Sequence, residues 1–209
     1  MESELNDCNQ VIANFKADDK WLVSSTAINV YATLLNAYNT TQVDPLFFIV
    51  DTFVYVTCVK DGEYKARKFK KMLPENITKF VTLLFPVNVD NNHWILIQVN
   101  TQWLSIVIMD SLSSSSDSYR PIVNNIIRIV KGMYEGRDMD LNYDEHAFIA
   151  DCPQQPNGYD CGMYVLNFAE QIIRKKKIAQ FDAKRYRKLV LRRIESDKLL
   201  IEEKIKFSK

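Results

Sequence analysis

The chain has 209 residues, 47% hydrophobic and 25% charged, which is enough apolar material for one soluble domain with a sizeable core and excludes global disorder. Its five glycines, among them Gly158 and Gly162, admit neither G-x-G-x-x-G nor G-x-x-x-x-G-K, so glycine-rich phosphate loops are excluded. Two histidines, His93 and His146, and four scattered cysteines exclude His-rich metal cages, and no metal or other cofactor is expected.

The net charge of +1 conceals a balance of −8 over residues 1–170 (13 Lys+Arg against 21 Asp+Glu) and +9 over 171–209 (14 against 5). Cys8, Cys58, Cys152 and Cys161 form no C-x-x-C pair, and Met1 to Gln10 is polar and acidic where a secretory leader would be apolar, so a reducing, intracellular compartment, nucleus or cytoplasm, is expected. The longest apolar run, Trp103 to Met109 with Ser105 interrupting it, is far short of the roughly twenty residues of a membrane-spanning helix.

Trp21 to Tyr38 spaces its apolar residues by three and four and predicts an amphipathic helix, with Asp44-Pro45 ending the loop after it. Phe47 to Val59 fits either a strand or a short helix plus strand, and Lys65 to Met72 reads as a basic surface segment. Phe80 to Val89, Trp94 to Val99 and Leu104 to Met109 predict three buried strands, with a turn at Asn100-Thr101-Gln102-Trp103. The serine-rich loop Ser111 to Asp117 leads to Pro121, read as the first residue of a helix that continues over Ile122 to Met133 toward Gly132 and Gly136. An irregular Pro-Gln-Gln-Pro-Asn-Gly stretch then precedes an apolar helix over Met163 to Ile173. Helix, strands, helix, helix makes an α+β domain, single over 1–209. The basic segment 174–209, with Arg174-Lys175-Lys176-Lys177 and Lys184 to Arg193, reads as a solvated helix face. An anionic membrane or an acidic protein patch are its alternative partners, and its aromatics are too sparse to favour nucleic acid.

A hairpin turn centred between Thr101 and Gln102 gives opposed residues an index sum of 203 and sets His93 opposite Asp110, unless a bulge intervenes. A carboxylate there can fix the imidazole's tautomer and stabilise the imidazolium. Cys161 stands where the irregular loop meets the apolar helix, and a helix N-terminus favours a thiolate. Asp160 is the expected N-cap, and Gly158 and Gly162 leave room for an approaching peptide. Gln155, between Pro153 and Pro156, can offer an amide beside the Cys161 backbone N–H to a developing oxyanion. Cys152 reads as a packed thiol and His146 as an exposed imidazole; Asp151 and Asp117 lack the strand placement of Asp110.

The run Asp151-Cys152-Pro153-Gln154-Gln155-Pro156-Asn157-Gly158-Tyr159-Asp160-Cys161-Gly162 resembles the nucleophile motif of the Ulp/SENP ubiquitin-like-protein-specific cysteine proteases. His93-Trp94 and Asp110-Ser111-Leu112 resemble the family's other two catalytic blocks, and the resemblance extends from about Trp21 to about Arg193. It implies a papain-like cysteine protease fold: a central, mostly antiparallel sheet flanked by helices, with the nucleophile at a helix N-terminus. It also implies a Cys161-His93-Asp110 triad, Gln155 in the oxyanion hole, and cleavage after the C-terminal Gly-Gly of a ubiquitin-like modifier, as precursor or joined to lysine of a target protein. SUMO is the modifier it favours. Trp94 would lie over a narrow tunnel, and Trp21-Leu22 matches the start of the family's Trp-Leu-Asn-Asp block. Val23 and Ser24 replace the Asn and Asp, which removes a docking carboxylate. The alternatives are a protease for the Nedd modifier or ubiquitin, and a catalytically inactive modifier-binding module.

Overall fold

The computed structural model describes residues 2–18, 20–41, 46–65, 69–112, 116–135 and 139–207. Asp44-Pro45, residues 66–68 of the basic segment, 113–115 of the serine-rich loop and Gly136 lie outside them, as does the side chain of Asp117.

Helices α1 (Glu2–Ala17) and α2 (Ser25–Thr40) come first, then β1 (Phe47–Ile49), α3 (Thr52–Cys58) and a small hairpin of β2 (Val59–Lys60) and β3 (Glu63–Tyr64). Two 3-10 turns, Phe69–Met72 and Ile77–Lys79, lead to β4 (Thr82–Val89), β5 (His93–Asn100) and β6 (Ser105–Met109). The rest is α4 (Ser116–Met133), the single turn α5 (Tyr143–His146), β7 (Ala147–Ile149), α6 (Cys161–Ile173) and α7 (Ala183–Phe207). Among the described residues no helix is long and apolar enough to cross a membrane.

The sheet order is β1-β4-β5-β6-β7. Its central strands β4, β5 and β6 are antiparallel, and β1 and β7 join the edges in parallel. Both faces are covered. Leu84, Trp94, Leu96 and Met109 face α1, α2, α6 and α7, whereas Leu83, Phe85, Val87, Ile95, Ile97, Val99, Ile106 and Ile108 face α3 and α4. Burial on two sides explains why these strands read as continuous apolar runs, with no polar alternation.

Several elements depart from the sequence reading. The first, α1, stands in the segment read only as polar: Cys8, Val11, Ile12 and Phe15 form a one-sided stripe buried with α2 and α7. Helix α2 starts later than Trp21 because Ser24 caps it, its Oγ accepting the Ala27 N–H at 3.2 Å. Phe47 to Val59 resolves into strand, helix and strand. Pro121 is not the first residue of α4, which begins at Ser116 and is anchored through its opening turn by the buried Tyr119.

The predicted hairpin register is also corrected. The connection between β5 and β6 is the four residues Thr101 to Leu104, and Asn100 pairs with Ser105, so opposed indices sum to 205. Asn100 Oδ1 shapes this turn by accepting the N–H groups of Gln102 and Trp103 at 3.0 and 2.8 Å, and Leu104 takes a left-handed φ of 47°. A slip of two residues preserves the face on which every side chain lies, so His93 and Asp110 remain on the α4 side as diagonal neighbours.

Candidate active site

His93 is the first residue of β5, delivered there by a tight connection from Val89 in which Asp90 and Asn91 adopt left-handed φ values of 52° and 56°. Asp110 follows the last residue of β6. Their side chains meet, with His93 Nε2 2.6 Å from Asp110 Oδ1. The carboxylate is buried and otherwise fully engaged: Leu112 N–H donates to Oδ1 at 2.8 Å, and the Tyr119 hydroxyl donates to Oδ2 at 2.7 Å. Burial pushes the Asp110 carboxyl up, but hydrogen bonds from His93, Tyr119 and Leu112 together outweigh it and hold the group well below the usual carboxylate range. Burial likewise opposes a charge on His93. Asp110 and Cys161 overcome it through hydrogen bonding and charge, and the imidazole's pKa is raised to about 9. The ring's Nδ1 is buried and is the nitrogen that Asp110 does not engage, so it is the edge that Cys161 meets.

Cys161 is the first residue of α6 and is 2% exposed. The segment before it is built almost entirely from its own side-chain amides. Gln154 Nε2 donates to the carbonyls of Asp110 and Cys152 at 3.0 and 2.9 Å. Gln155 is tied to the same strand end twice, its N–H donating to Ser111 O at 2.9 Å and its Oε1 accepting from Ser111 Oγ at 2.6 Å. The Asn157 carbonyl, which can only accept, fixes which end of the amide is the donor: Nε2 donates to Asn157 O at 2.5 Å and keeps one further N–H. Asn157 Oδ1 accepts the N–H groups of Tyr159 and Asp160, which turns the chain into the helix.

Two expectations about this segment are corrected. Asp160 precedes α6 but its side chain does not cap it; Asp160 accepts from Asn157 Nδ2 at 2.9 Å and from Arg187 of α7 at 2.8 Å. Gly162 is not an opening for substrate. A Cβ there would lie 2.6 Å from Val23 Cβ, so the missing side chain lets the Trp21–Val23 segment close onto the head of α6. Gly158 is exposed, with nothing within 4 Å of an added Cβ.

Trp94 is buried beside this junction, and its indole N–H donates to Val23 O at 2.8 Å. Trp21 packs edge-on against Phe15, their ring centroids 5.1 Å apart, while Leu22 is 51% exposed. His146 is half-buried and accepts the Asn142 N–H; it ends α5 immediately before β7 and takes no part in the cluster. Cys152 is buried, donates to Asp110 O at 3.4 Å, and has its thiol pKa pushed up, chiefly by burial.

The basic segment is more than a solvated face. Arg187 is 4% exposed and donates both to Asp160 and to Trp21 O, the latter at 2.9 Å, so one guanidinium ties the loop before Cys161 to the segment packed on Gly162. Arg193 pairs with buried Glu170 at 2.7 Å. Tyr119, Ser111 and Arg187 escaped the sequence reading because no local periodicity marks a side chain whose partner comes from another element.

A family model described as "Ulp1 protease family, C-terminal catalytic domain" matches residues 22–196. The chain is 30% identical over 115 residues to Ubiquitin-like-specific protease 1 of Saccharomyces cerevisiae, covering 55% of this chain and 18% of that protein. It is 27% identical over 161 residues to human Sentrin-specific protease 2, covering 76% and 26% respectively. It thus spans only about a fifth to a quarter of these relatives' lengths. Among solved structures, SUMO protease Ulp1 with its catalytic cysteine oxidised to a sulfinic acid superposes with a TM-score of 0.73 at 23% identity, covering 95% of this chain and 96% of that one. The Ulp1 protease domain in complex with Smt3, the yeast ortholog of SUMO, gives 0.71 at 21%, covering 94% and 96%. At these identities the likeness shows a shared fold.

Proposed function

From the premise that this chain belongs to the Ulp1 protease family, we propose that it is a cysteine peptidase and isopeptidase that cleaves after the C-terminal Gly-Gly of a ubiquitin-like modifier. The observation that carries this is the 2.6 Å contact between His93 Nε2 and Asp110 Oδ1, which leaves the other ring nitrogen for the cysteine at the head of α6. Cys161 attacks the scissile carbonyl as the thiolate, and His93, protonated at neutral pH by its raised pKa, gives its proton to the departing lysine amine. The tetrahedral oxyanion is met by the Cys161 N–H and the remaining Nε2 hydrogen of Gln155, an amide oriented by the Asn157 carbonyl and held by Ser111. In the second half, water adds to the thioester, His93 takes its proton, and the modifier leaves with a free carboxylate while Cys161 is regenerated. We read Trp94, with Trp21 and Leu22 at the lead-in to α2, as the walls of a channel that admits two glycines, the Trp94 ring being held in place through Val23 O. Gly158 and Gly162 serve it differently: Gly158 leaves the loop open, and Gly162 lets Val23 seat.

SUMO is the modifier we favour, in precursor or conjugated form, with the excess acidity of residues 1–170 steering a modifier with a basic face. We place the enzyme in the nucleus or cytoplasm, a reading supported by four free, buried cysteines. We also read residues 1–209 as one catalytic unit, because α1 and α7 bury their apolar stripes in the same core as α6. Fluorogenic C-terminal conjugates of SUMO, Nedd and ubiquitin test the assignment directly: turnover of SUMO is expected, and turnover of the Nedd substrate alone overturns the preference. An electrophilic SUMO probe should label wild type and Cys152→Ala but not Cys161→Ala. Binding without any adduct would instead favour a modifier-binding module.

A further inference from the structure

We propose that Tyr119 is a positioning residue that restrains the Asp110 carboxylate and limits how tightly His93 holds its proton, an inference that rests on the catalytic pairing above. Its hydroxyl donates to Asp110 Oδ2 at 2.7 Å, while His93 and the Leu112 N–H share Oδ1. The tyrosine is 2% exposed and rises from the opening turn of α4, on the sheet face opposite α6. It therefore braces the carboxylate from the layer that does not carry the nucleophile.

Among the described residues, the groups seen to face this pair are few. Asp110 meets His93 from β5, Tyr119 from α4 and the Leu112 amide; His93 meets Asp110 and, from α6, Cys161. Cys152 and Gln154 bond to the Asp110 backbone carbonyl. When His93 is protonated, its charge compensates the carboxylate. When it gives up the proton, Asp110 is left as an uncompensated buried anion, and a hydrogen bond to an anion is stronger than one to a compensated ion pair. The Tyr119 hydroxyl thus stabilises the deprotonated imidazole more than the protonated one. It draws the His93 pKa down from where Asp110 alone would set it. A proton held too tightly is a poor one to donate to a leaving amine, so the same bond favours turnover.

Tyr119→Phe removes the donor and keeps the ring. Only two imidazoles need assignment, and His146→Ala identifies them, so NMR of 15N-histidine-labelled protein reads the titration without substrate. We expect the His93 midpoint to rise by about half a pH unit, roughly a threefold change in proton affinity, with His146 unmoved. In the SUMO assay kcat should fall about three- to tenfold with KM unchanged, and the alkaline limb should move to higher pH. Site-specific replacement of Tyr119 by 3,5-difluorotyrosine, a stronger donor, should move the midpoint the other way and serves if the Phe variant folds poorly. A His93 midpoint that stays or moves opposite to these signs in the folded variant overturns the proposal. If wild type processes no modifier, the proposed function fails, while the imidazole titration still decides the role of Tyr119.

Discussion

Two buried carboxylates are held by nearly the same chemical parts and do opposite things. Asp110 has an imidazole, a tyrosine hydroxyl and a backbone amide. Glu170, on α6, has the hydroxyls of Tyr31 and Tyr186 at 2.9 and 2.8 Å and the guanidiniums of Arg174 and Arg193, each at 2.7 Å. Burial pushes Glu170 up, but Arg193, Tyr186 and Tyr31 together bring it below the ordinary range, while the Tyr31 hydroxyl is pushed up to about 12, first by burial and then by Glu170. The difference is in the cation. Arginine does not surrender its proton in a protein, so the Glu170 cluster is locked; histidine does, and its free edge faces a thiol, so the Asp110 cluster can move charge. One assembly cements α2, α6 and α7, and the other works at the seam between the sheet and α6.

Substitutions that exchange these roles sharpen the contrast. The largest effect is expected for Asp110→Asn, which should lower kcat/KM about ten-thousandfold with the chain still folded, by analogy with loss of the orienting carboxylate in a hydrolytic triad. Steady-state kinetics and circular dichroism check this, and a residual activity within tenfold of wild type would break the assignment. Glu170→Gln should do the reverse. It leaves two half-buried guanidiniums without their carboxylate, costs about 2 kcal/mol in urea denaturation, and leaves kcat of the folded enzyme within about twofold. Next in size is the pH response. His93 has a folded-state pKa raised to about 9, so its contribution is complete below the unfolded value near 6.5 and is lost as pH rises through about 9. Activity and that part of stability should therefore fall together on the alkaline side. Asp110 and Glu170 have depressed pKa values, so their contributions persist above the unfolded carboxylate range and are lost as pH falls through their folded values. Gly162→Ala should cost about 1–3 kcal/mol by pushing Val23 off α6, visible in the melting temperature and in KM. The smallest expected change is about 1 kcal/mol for Tyr31→Phe, read in the same denaturation assay.

What the sequence disclosed and what it withheld divide along a physical line. The β4, β5 and β6 runs, the apolar helix after Cys161 and the Pro-Gln-Gln-Pro-Asn-Gly-Tyr-Asp-Cys-Gly block are local patterns, and they were legible. The meeting of His93 and Asp110 was legible for a partly mistaken reason: the turn is longer than inferred, and only the two-residue periodicity of a strand kept the pair on one face. Helix α1 was hidden because its polar residues outnumber its buried stripe. Tyr119 and Ser111 come from the neighbourhood of a serine-rich stretch whose composition speaks of a loop, and Arg187 from a basic run whose exposed members set its character. Such partners are specified by tertiary packing, to which spacing within one element is blind.

The guanidinium of Arg187 bonds the carbonyl of Trp21, 166 positions earlier, and the carboxylate of Asp160 beside Cys161, 27 positions earlier. During synthesis the loop that presents Cys161 therefore lacks its anchor until α7 has been made and has docked, so a chain growing from its N-terminus holds the thiol in an unfinished setting for most of its assembly. The proposed proteolytic competence then depends on the docking of α7, and partial unfolding that releases α7 is expected to remove it first.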